Sequence, residues 1–203
     1  GAIALHAKRG MRVRILCLAY GERGESQFAW KKAGVRIEDV KAQRRDEAER
    51  AAAVLGAEIE FMDAGDYPLR TTDAMLDRAI DIFHELNPSF VLTHSLEEAR
   101  IIAQAAGHKP DPDRAYAAPP VFLFEPHQPE QCNFKPTVIL NIDEVWETKR
   151  KAFEILAAQK HLWEYYTRVA LNRGVQGGRN SGKAMTYGEA YQRLFPEALE
   201  ALA

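Results

Sequence analysis

The sequence predicts an α/β fold with a mostly parallel sheet that is covered by helices on both faces. Short apolar or alternating segments, typical of strands, recur along the chain between longer amphipathic segments, typical of helices. Alternation of this kind favours parallel strands, because each helical crossover returns the chain to the same end of the sheet. The predicted strands are residues 11–20, 57–62, 89–93, 121–124 and 137–142.

The helices follow from 3.6-residue spacing and from residues that start or stop a helix. They are predicted at residues 40–56, 72–86, 97–107 and 143 to about 171, followed by a glycine-rich stretch at 174–182 and a last helix. Thr72 or Asp73 can cap the second of these helices. We therefore expect one domain over residues 1–203, in which about 143–203 form a helical C-terminal extension.

The first ten residues read as the second half of a helix that ends at Gly10. We expect that this chain lacks the first strand of the domain. A loop near residues 97–98 is also expected to be missing, because the strand that ends at Thr93 is followed almost at once by a helix.

Composition narrows the class of protein. The chain has 203 residues, a formal charge of −2, 46% hydrophobic residues and 28% charged residues, which suits a globular α/β protein. The near-neutral charge gives no reason to expect nucleic acid or an anionic membrane as a partner. The sequence contains no run of 18 apolar residues, so no membrane span is predicted. Cys17 and Cys132 lie far apart in the sequence and are expected to be reduced thiols of a cytoplasmic protein.

Polar residues follow several of the predicted strands. In a parallel sheet, ligands bind beyond the carboxyl ends of the strands, so these residues are expected to meet at one edge. They are Glu22, Arg23, Glu25, Asp63, Asp66, His94, His127 and Gln128.

His127 is the most informative of these residues. It lies between Pro126 and Pro129, which restrict the backbone around it, and between the carboxylates of Glu125 and Glu130. An imidazole exchanges protons near neutral pH, so His127 is a candidate acid/base. The alternative is a loop histidine that is solvated or hydrogen-bonded to a neighbouring carboxylate.

Glu25 is the second candidate catalytic residue. Its loop contains Gly21 and Gly24, which permit close approach of the backbone to a ligand. A partly buried carboxylate in this position can act as a general base. A solvated loop acid, or a cap for the following segment, is the alternative.

Arg44 and His94 are candidates for binding substrate. Arg44 lies early on the long helix, where one arginine can turn to the sheet edge and bind a carboxylate, although a charged helix face is the ordinary interpretation. His94 follows a buried strand and is a substrate contact, a metal ligand, or a histidine satisfied by a backbone carbonyl. No second histidine stands near it at a metal-ligand spacing, so the chain shows no metal site.

The C-terminal third adds two features. Residues 161–168 are aromatic at helical spacing, which favours core or subunit packing and predicts a homo-oligomer. Arg173, Arg179 and Asn180 lie in or beside the glycine-rich stretch and are candidates to close over an anionic ligand; a surface loop is the alternative.

These residues together carry a resemblance to a known superfamily. Up to about Val91, the chain resembles the PIG-L/LmbE zinc deacetylase superfamily. The resemblance is carried by residues 20–26, the pair Arg44 and Glu47, the Leu55-Gly56 step and Asp66. The resemblance implies a Rossmann-like α/β fold and a zinc ion (Zn²⁺). It also implies a His-x-x-Asp metal motif that would precede this chain and an Asp-His pair after His94 that the sequence lacks, so no metal ligand is assigned.

Within this superfamily, the chain most closely resembles the GalB-type 4-oxalomesaconate (4-carboxy-2-hydroxymuconate) hydratases, which belong to the 4,5-cleavage pathways of gallate and protocatechuate. This narrower resemblance is carried by residues 125–130, 161–166 and 174–176. The implied activity is hydration of the C=C bond of an unsaturated oxo-tricarboxylate. Its implied residues are Glu25 and His127 for catalysis, and Arg23, Arg44, His94, Gln128, Arg173, Arg179 and Asn180 for substrate binding. A zinc-dependent N-acetyl-sugar deacetylase and a catalytically inactive binding protein remain the alternatives.

Overall fold

The structure is a computed structural model that describes residues 1–24, 26–70, 72–94, 119–194 and 196. Its α-helices are α1 (Ala2–Lys8), α2 (Gln27–Trp30), α3 (Ile37–Leu55), α4 (Asp73–Leu86), α5 (Trp146–Ile155) and α6 (Trp163–Ser181). Its strands are β1 (Arg14–Cys17), β2 (Glu58–Phe61), β3 (Val91–Thr93), β4 (Val121–Phe124), β5 (Val138–Asn141) and β6 (Gly188–Arg193). Two 3₁₀-helices, Asp143–Val145 and Ala157–Leu162, flank α5.

The fold is a mixed α/β fold, and the predicted parallel sheet is found only in part. β1 and β2 form a two-stranded parallel sheet, and the second sheet has the strand order β3-β4-β6-β5. β3 and β4 are parallel, as predicted, but β4 and β6 are antiparallel. The expected Rossmann-like arrangement, in which one mostly parallel sheet carries helices on both faces, is therefore not clearly present.

The chain divides into two compact units. Unit 1 comprises Gly1–Thr71 and Asn141–Glu189, and unit 2 comprises Thr72–Leu140 and Ala190–Ala203. The core of unit 1 includes Ala29, Val40 and Ala158, with Val35 packed against them. In unit 2, Val121 and Leu123 on β4 pack with Phe134 and Leu194. The prediction of a single domain over residues 1–203 stays a prediction.

Local signals placed most elements within a few residues of their observed bounds. Gly56, at φ 76°, ends α3 as a left-handed C-cap, and Thr72 caps α4 by accepting a hydrogen bond from the Met75 N–H at 3.3 Å. Gly10 has the positive φ expected after α1. The predicted helix at 97–107 and the loop near 97–98 lie outside the described residues.

The prediction of a helical C-terminal extension was wrong in two places. Residues 174–181 continue α6 instead of forming a loop, and residues 188–193, predicted as helix, form β6. The sequence of β6, Gly-Glu-Ala-Tyr-Gln-Arg, is rich in helix formers, but β4 supplies hydrogen-bond partners that outweigh this preference. Leu194 N–H donates to the Val121 carbonyl at 3.0 Å, and Glu125 N–H donates to the Ala190 carbonyl at 3.3 Å.

Candidate functional site

The loop that follows β1 in unit 1 is held in place by Asp66. One carboxylate oxygen of Asp66, Oδ2, accepts hydrogen bonds from the backbone N–H groups of Arg23 at 2.9 Å and Gly24 at 2.8 Å. Within the loop, the Ser26 hydroxyl donates to the Gly21 carbonyl at 2.6 Å. Asp66 follows β2, which pairs with β1 in parallel, so the carboxyl ends of the two strands are joined through this carboxylate.

Glu22 is a buried acid of this loop. It is 1% exposed, and its Oε1 lies 3.8 Å from the Lys41 Nζ. Its Oε2 has no hydrogen-bond partner among the described residues. The Glu22 backbone carbonyl accepts a hydrogen bond from the Trp30 indole N–H at 2.7 Å. A buried carboxylate oxygen without a hydrogen-bond partner lowers the stability of the fold. Such unsatisfied groups are common at functional sites.

Lys41 on α3 bridges the two loops. Its ammonium donates a hydrogen bond to the Asp63 carboxylate at 2.6 Å and lies within ion-pair distance of Glu22. The hydrogen bond to Asp63 raises the pKa of Lys41, so this side chain stays charged at neutral pH. Lys41 was not among the site residues predicted from the sequence, because a lysine on a charged helix face carries no local signal.

These residues surround a cavity of about 520 Å³ that lies within unit 1. Its polar lining comprises Glu22, Arg23, Lys41, Asp66 and Tyr67. Arg23 is exposed, and its guanidinium makes no hydrogen bond or ion pair with the residues that the structure describes. The volume falls within the range of small-molecule sites, roughly 300–1,000 Å³.

Tyr67 stands at the rim of this cavity in a strained conformation. It is 73% exposed and has a φ of 49°, in the left-handed region that a bulky residue rarely adopts. Such a conformation costs a non-glycine residue about 1 kcal/mol or more. A Cβ on Gly24 would lie 2.9 Å from the Tyr67 ring, so the close approach of ring and loop requires glycine at position 24.

Arg44 is engaged by protein groups beneath the loop. Its Nε donates to the Tyr20 carbonyl at 3.1 Å, and Nη1 donates to the Glu47 carboxylate at 3.0 Å. Nη2 donates to the Gln159 side-chain carbonyl at 3.3 Å. With its side chain 12% exposed, Arg44 anchors the end of β1 to α3. The contact with a substrate carboxylate predicted from the sequence stays a prediction.

His94 and His127 both belong to unit 2. Thr93 on β3 is paired with Leu123 on β4, so the carboxyl ends of these parallel strands are adjacent. His94 is exposed and packs edge-on against Phe124, with ring centroids 4.2 Å apart. His127 and Gln128 follow β4 and are exposed. Their predicted roles stay predictions.

The three polar residues of the glycine-rich segment lie on α6. Arg173 is half-buried and donates a hydrogen bond to the Gln176 side chain, whereas Arg179 and Asn180 are exposed near the end of the helix. Gly174 permits close packing: a Cβ at this position would lie 2.0 Å from the Thr186 carbonyl oxygen. The segment is helical, so the prediction of a flexible loop was wrong. Substrate binding by its three polar residues remains a prediction.

Two further predictions concern the candidate base, Glu25, and the zinc site. Glu25, the candidate base, lies outside the described residues. In the described parts of the chain, no three His, Cys, Asp or Glu side chains are grouped so that they could hold a metal ion. The residues present there do not fit the zinc site that the resemblance implies.

The described helices include none that is both long and apolar enough to cross a membrane.

Comparison with known proteins defines the class to which this fold and site belong. The family model for PIG-L, described as GlcNAc-PI de-N-acetylase, matches residues 1–110, which is more than half of the chain. The chain therefore belongs to the PIG-L family.

Within the family, the similarity to one hydratase extends along the whole chain. The chain is 48% identical over 222 residues to the 4-oxalmesaconate hydratase of Pseudomonas putida, a match that covers 100% of the chain and 86% of the relative. The crystal structure of GalB, the 4-carboxy-2-hydroxymuconate hydratase from Pseudomonas putida KT2440, superposes with a TM-score of 0.90 at 48% identity, covering 100% of this chain and 92% of GalB.

A more distant structure shares the fold alone. The N,N'-diacetylchitobiose deacetylase from Pyrococcus horikoshii superposes with a TM-score of 0.73 at 18% identity, covering 95% of this chain and 76% of the deacetylase. The predicted relationship to PIG-L proteins and to hydratases of this type is confirmed by these comparisons.

Proposed function

We propose that this protein is a hydro-lyase that adds water to the C=C bond of 4-oxalomesaconate (4-carboxy-2-hydroxymuconate) to give 4-carboxy-4-hydroxy-2-oxoadipate. The observation that carries the proposal is 48% identity to a hydratase along the entire chain, with a TM-score of 0.90 to a hydratase structure. The reaction belongs to the bacterial catabolism of gallate and protocatechuate by 4,5-cleavage.

The cavity in unit 1 supports a substrate of this kind. A tricarboxylate needs cationic and hydrogen-bonding groups that are not already neutralised by the protein. Arg23 supplies a guanidinium without a protein partner among the described residues, and a guanidinium can bind a carboxylate through two parallel hydrogen bonds. Lys41 at the same wall is charged as well, but it is already paired with Asp63 and lies close to Glu22, so the carboxylate contact is assigned to Arg23.

The proposed chemistry requires two proton transfers. The oxygen of the added water loses a proton as the C–O bond forms, and a proton is delivered to the neighbouring carbon, so the atoms of one water molecule are added overall. We assign Glu25 as the base for the water or for tautomerisation of the substrate, and His127 as the complementary acid/base. Arg23, His94 and Gln128 are the proposed carboxylate contacts, with Arg44, Arg173, Arg179 and Asn180 as further candidates.

Zinc is proposed only because the resemblance to the PIG-L/LmbE superfamily implies it. When bound, zinc would polarise the substrate or its water. The described residues do not form a site for it, and neither of the two proton transfers depends on the metal. Metal content of the purified protein, measured by inductively coupled plasma mass spectrometry, tests this point; less than about 0.1 zinc per active chain would contradict it.

The deciding experiment is an activity assay on two substrate classes. Purified protein, with and without added zinc, is given 4-oxalomesaconate and, separately, an N-acetylated sugar. We expect loss of the unsaturated chromophore and formation of the hydroxy acid, with no release of acetate. Release of acetate without hydration would favour the deacetylase alternative. Failure to turn over or bind either substrate would favour an inactive binding protein.

We also propose that the protein is cytoplasmic and self-associates. Both cysteines are free thiols, and Tyr165 and Tyr166 on α6 are half-buried and in edge-to-face contact with each other. Size-exclusion chromatography with light scattering tests self-association, for which a mass of at least twice 22.9 kDa is expected.

A further inference from the structure

Tyr67 is an unusual residue that the proposed mechanism does not use. Among the described residues, the other non-glycine positions with positive φ are occupied by Asp63, Asn87 and Asn133, residue types that tolerate this conformation. Tyr67 is the bulky exception, and the residue is 73% exposed. A strained backbone persists where the surroundings impose it, and such strain is concentrated at ligand sites.

The surroundings of Tyr67 keep its side chain at the cavity. Its neighbour Asp66 is bonded to the backbone N–H groups of Arg23 and Gly24, and the missing side chain of Gly24 leaves room for the Tyr67 ring. The loops that carry Arg23 and Tyr67 are thus held to each other through Asp66. Both residues line the same cavity.

The cavity lining separates into groups that have protein partners and groups that do not. Lys41 forms an ion pair with Asp63 and lies close to Glu22, whose Oε2 has no hydrogen-bond partner among the described residues, and Asp66 accepts hydrogen bonds from two backbone N–H groups. Arg23 and Tyr67 have side-chain donors for which the structure gives no protein acceptor among the described residues. A guanidinium and a phenol are both suited to the oxygens of a carboxylate.

We infer that Tyr67 is a substrate-contacting residue that, together with Arg23, binds one carboxylate of the substrate. The inference rests on the proposed function for the identity of that substrate. The phenolic hydroxyl donates a hydrogen bond to a carboxylate oxygen, and the ring forms one wall of the site. The consequence is that Tyr67 governs affinity and selection for the polycarboxylate.

Steady-state kinetics of four variants tests this role. Tyr67→Phe removes only the hydroxyl, Tyr67→Ala also removes the ring, and Arg23→Met removes the guanidinium; Val175→Ala, at a position 59% exposed on α6, is the control. We expect Tyr67→Phe to raise KM about tenfold with kcat changed less than threefold, because a hydrogen bond to a charged group is lost. Tyr67→Ala should raise KM further, and Val175→Ala should leave both parameters unchanged.

A double-mutant cycle separates contact from a merely structural role. If both side chains bind one carboxylate, the effects of Tyr67→Phe and Arg23→Met on kcat/KM are not multiplicative, and the double variant loses less than the product of the two. Multiplicative effects, or an unchanged KM in Tyr67→Phe, would overturn the inference. Circular dichroism and melting temperature confirm that each variant is folded.

Binding of tricarballylate, a saturated tricarboxylate, distinguishes failure of this inference from failure of the proposed function. If the unaltered protein does not hydrate 4-oxalomesaconate, the proposed function fails, but calorimetry still tests Tyr67. Weaker binding of tricarballylate by Tyr67→Phe than by the unaltered protein would support the carboxylate contact. Equal affinity, or no binding to either protein, would refute it.

Discussion

The carboxylate of Asp66 accepts a hydrogen bond from the backbone N–H of Gly24 at 2.8 Å, and the same oxygen accepts the N–H of Arg23. One side chain after β2 therefore fixes the loop after β1. This arrangement places Arg23 at the cavity without constraining its guanidinium, which is how a binding residue is positioned and yet left available for a ligand.

Asp66→Ala is expected to loosen this loop. Loss of two hydrogen bonds to a charged acceptor should lower the free energy of unfolding by about 2 kcal/mol and raise KM for the proposed substrate. Urea denaturation and steady-state kinetics measure the two effects. Asp46→Asn, at an exposed ion pair with Arg50, is the control and should cost less than about 0.5 kcal/mol. A similar loss in both variants would contradict the role of Asp66.

Glu47→Ala should destabilise the protein far more than Glu49→Ala on the same helix. Glu47 is 2% exposed and accepts hydrogen bonds from Arg44, from Gln43 at 2.7 Å and from the Ala158 N–H at 3.2 Å. Its removal leaves a buried guanidinium without its carboxylate partner, at a cost of about 3 kcal/mol. Glu49 forms an exposed pair with Arg45, which contributes about 0.5 kcal/mol or less. Equal changes in urea denaturation would show that the buried pair has no special role.

Gly174→Ala should destabilise the protein even though alanine is the better helix former. The new Cβ would lie 2.0 Å from the Thr186 carbonyl oxygen, and overpacking of this kind costs about 1–3 kcal/mol. Gly178→Ala is the matched control on the same helix: its Cβ would lie 3.3 Å from the nearest atom, the Lys183 carbonyl oxygen, a tight contact that a shift of a few tenths of an ångström relieves and that is offset by about 1 kcal/mol of helix propensity. Thermal unfolding compares the two; a Gly174→Ala variant as stable as Gly178→Ala would contradict the packing argument.

The two cysteines should differ in reactivity. Burial raises the pKa of the Cys17 thiol, which lowers the thiolate fraction at neutral pH, whereas Cys132 is exposed. We expect iodoacetamide to label Cys132 at least about tenfold faster than Cys17 at pH 7, and labelling of Cys17 to accelerate as pH rises. Peptide mass spectrometry measures both rates. Unfolding in guanidinium should abolish the difference; its persistence would point to local sequence, not burial.

The stability contribution of Glu58 should depend on pH. Hydrogen bonds from Arg12 and Arg14 lower the pKa of Glu58 from 4.5 to about 2. Because the folded-state pKa is depressed, the contribution is present above pH 4.5 and is lost as pH falls towards 2. The melting temperature of Glu58→Gln should lie below that of the unaltered protein at pH 6, and the gap should narrow by pH 3. Added salt should also narrow the gap, since the group is exposed; a gap that is constant with pH would contradict the assignment.

The sequence predicted local structure well and tertiary pairing less well. Apolar periodicity and caps such as Gly56 and Thr72 act within a few residues, so α3, α4 and the cores of five strands were found. β6 was missed because its helix-forming composition is overridden by pairing with β4, about seventy residues earlier in the chain. The glycine-rich part of α6 was interpreted as a loop because the close contact between Gly174 and Thr186 forms only in the folded chain and leaves no local signal in the sequence.

The candidate site shows the same division. By itself, the sequence determined that Glu22, Arg23 and Asp66 follow strands, and it carried the resemblance that the comparisons confirm. Only the tertiary structure decided that Asp66 holds the Arg23 loop, that Lys41 bridges Asp63 and Glu22, and that Tyr67 adopts a strained position over Gly24. The physical reason is that strand ends are set by local periodicity, whereas contacts between side chains from α3, β1 and β2 arise only when these elements pack together.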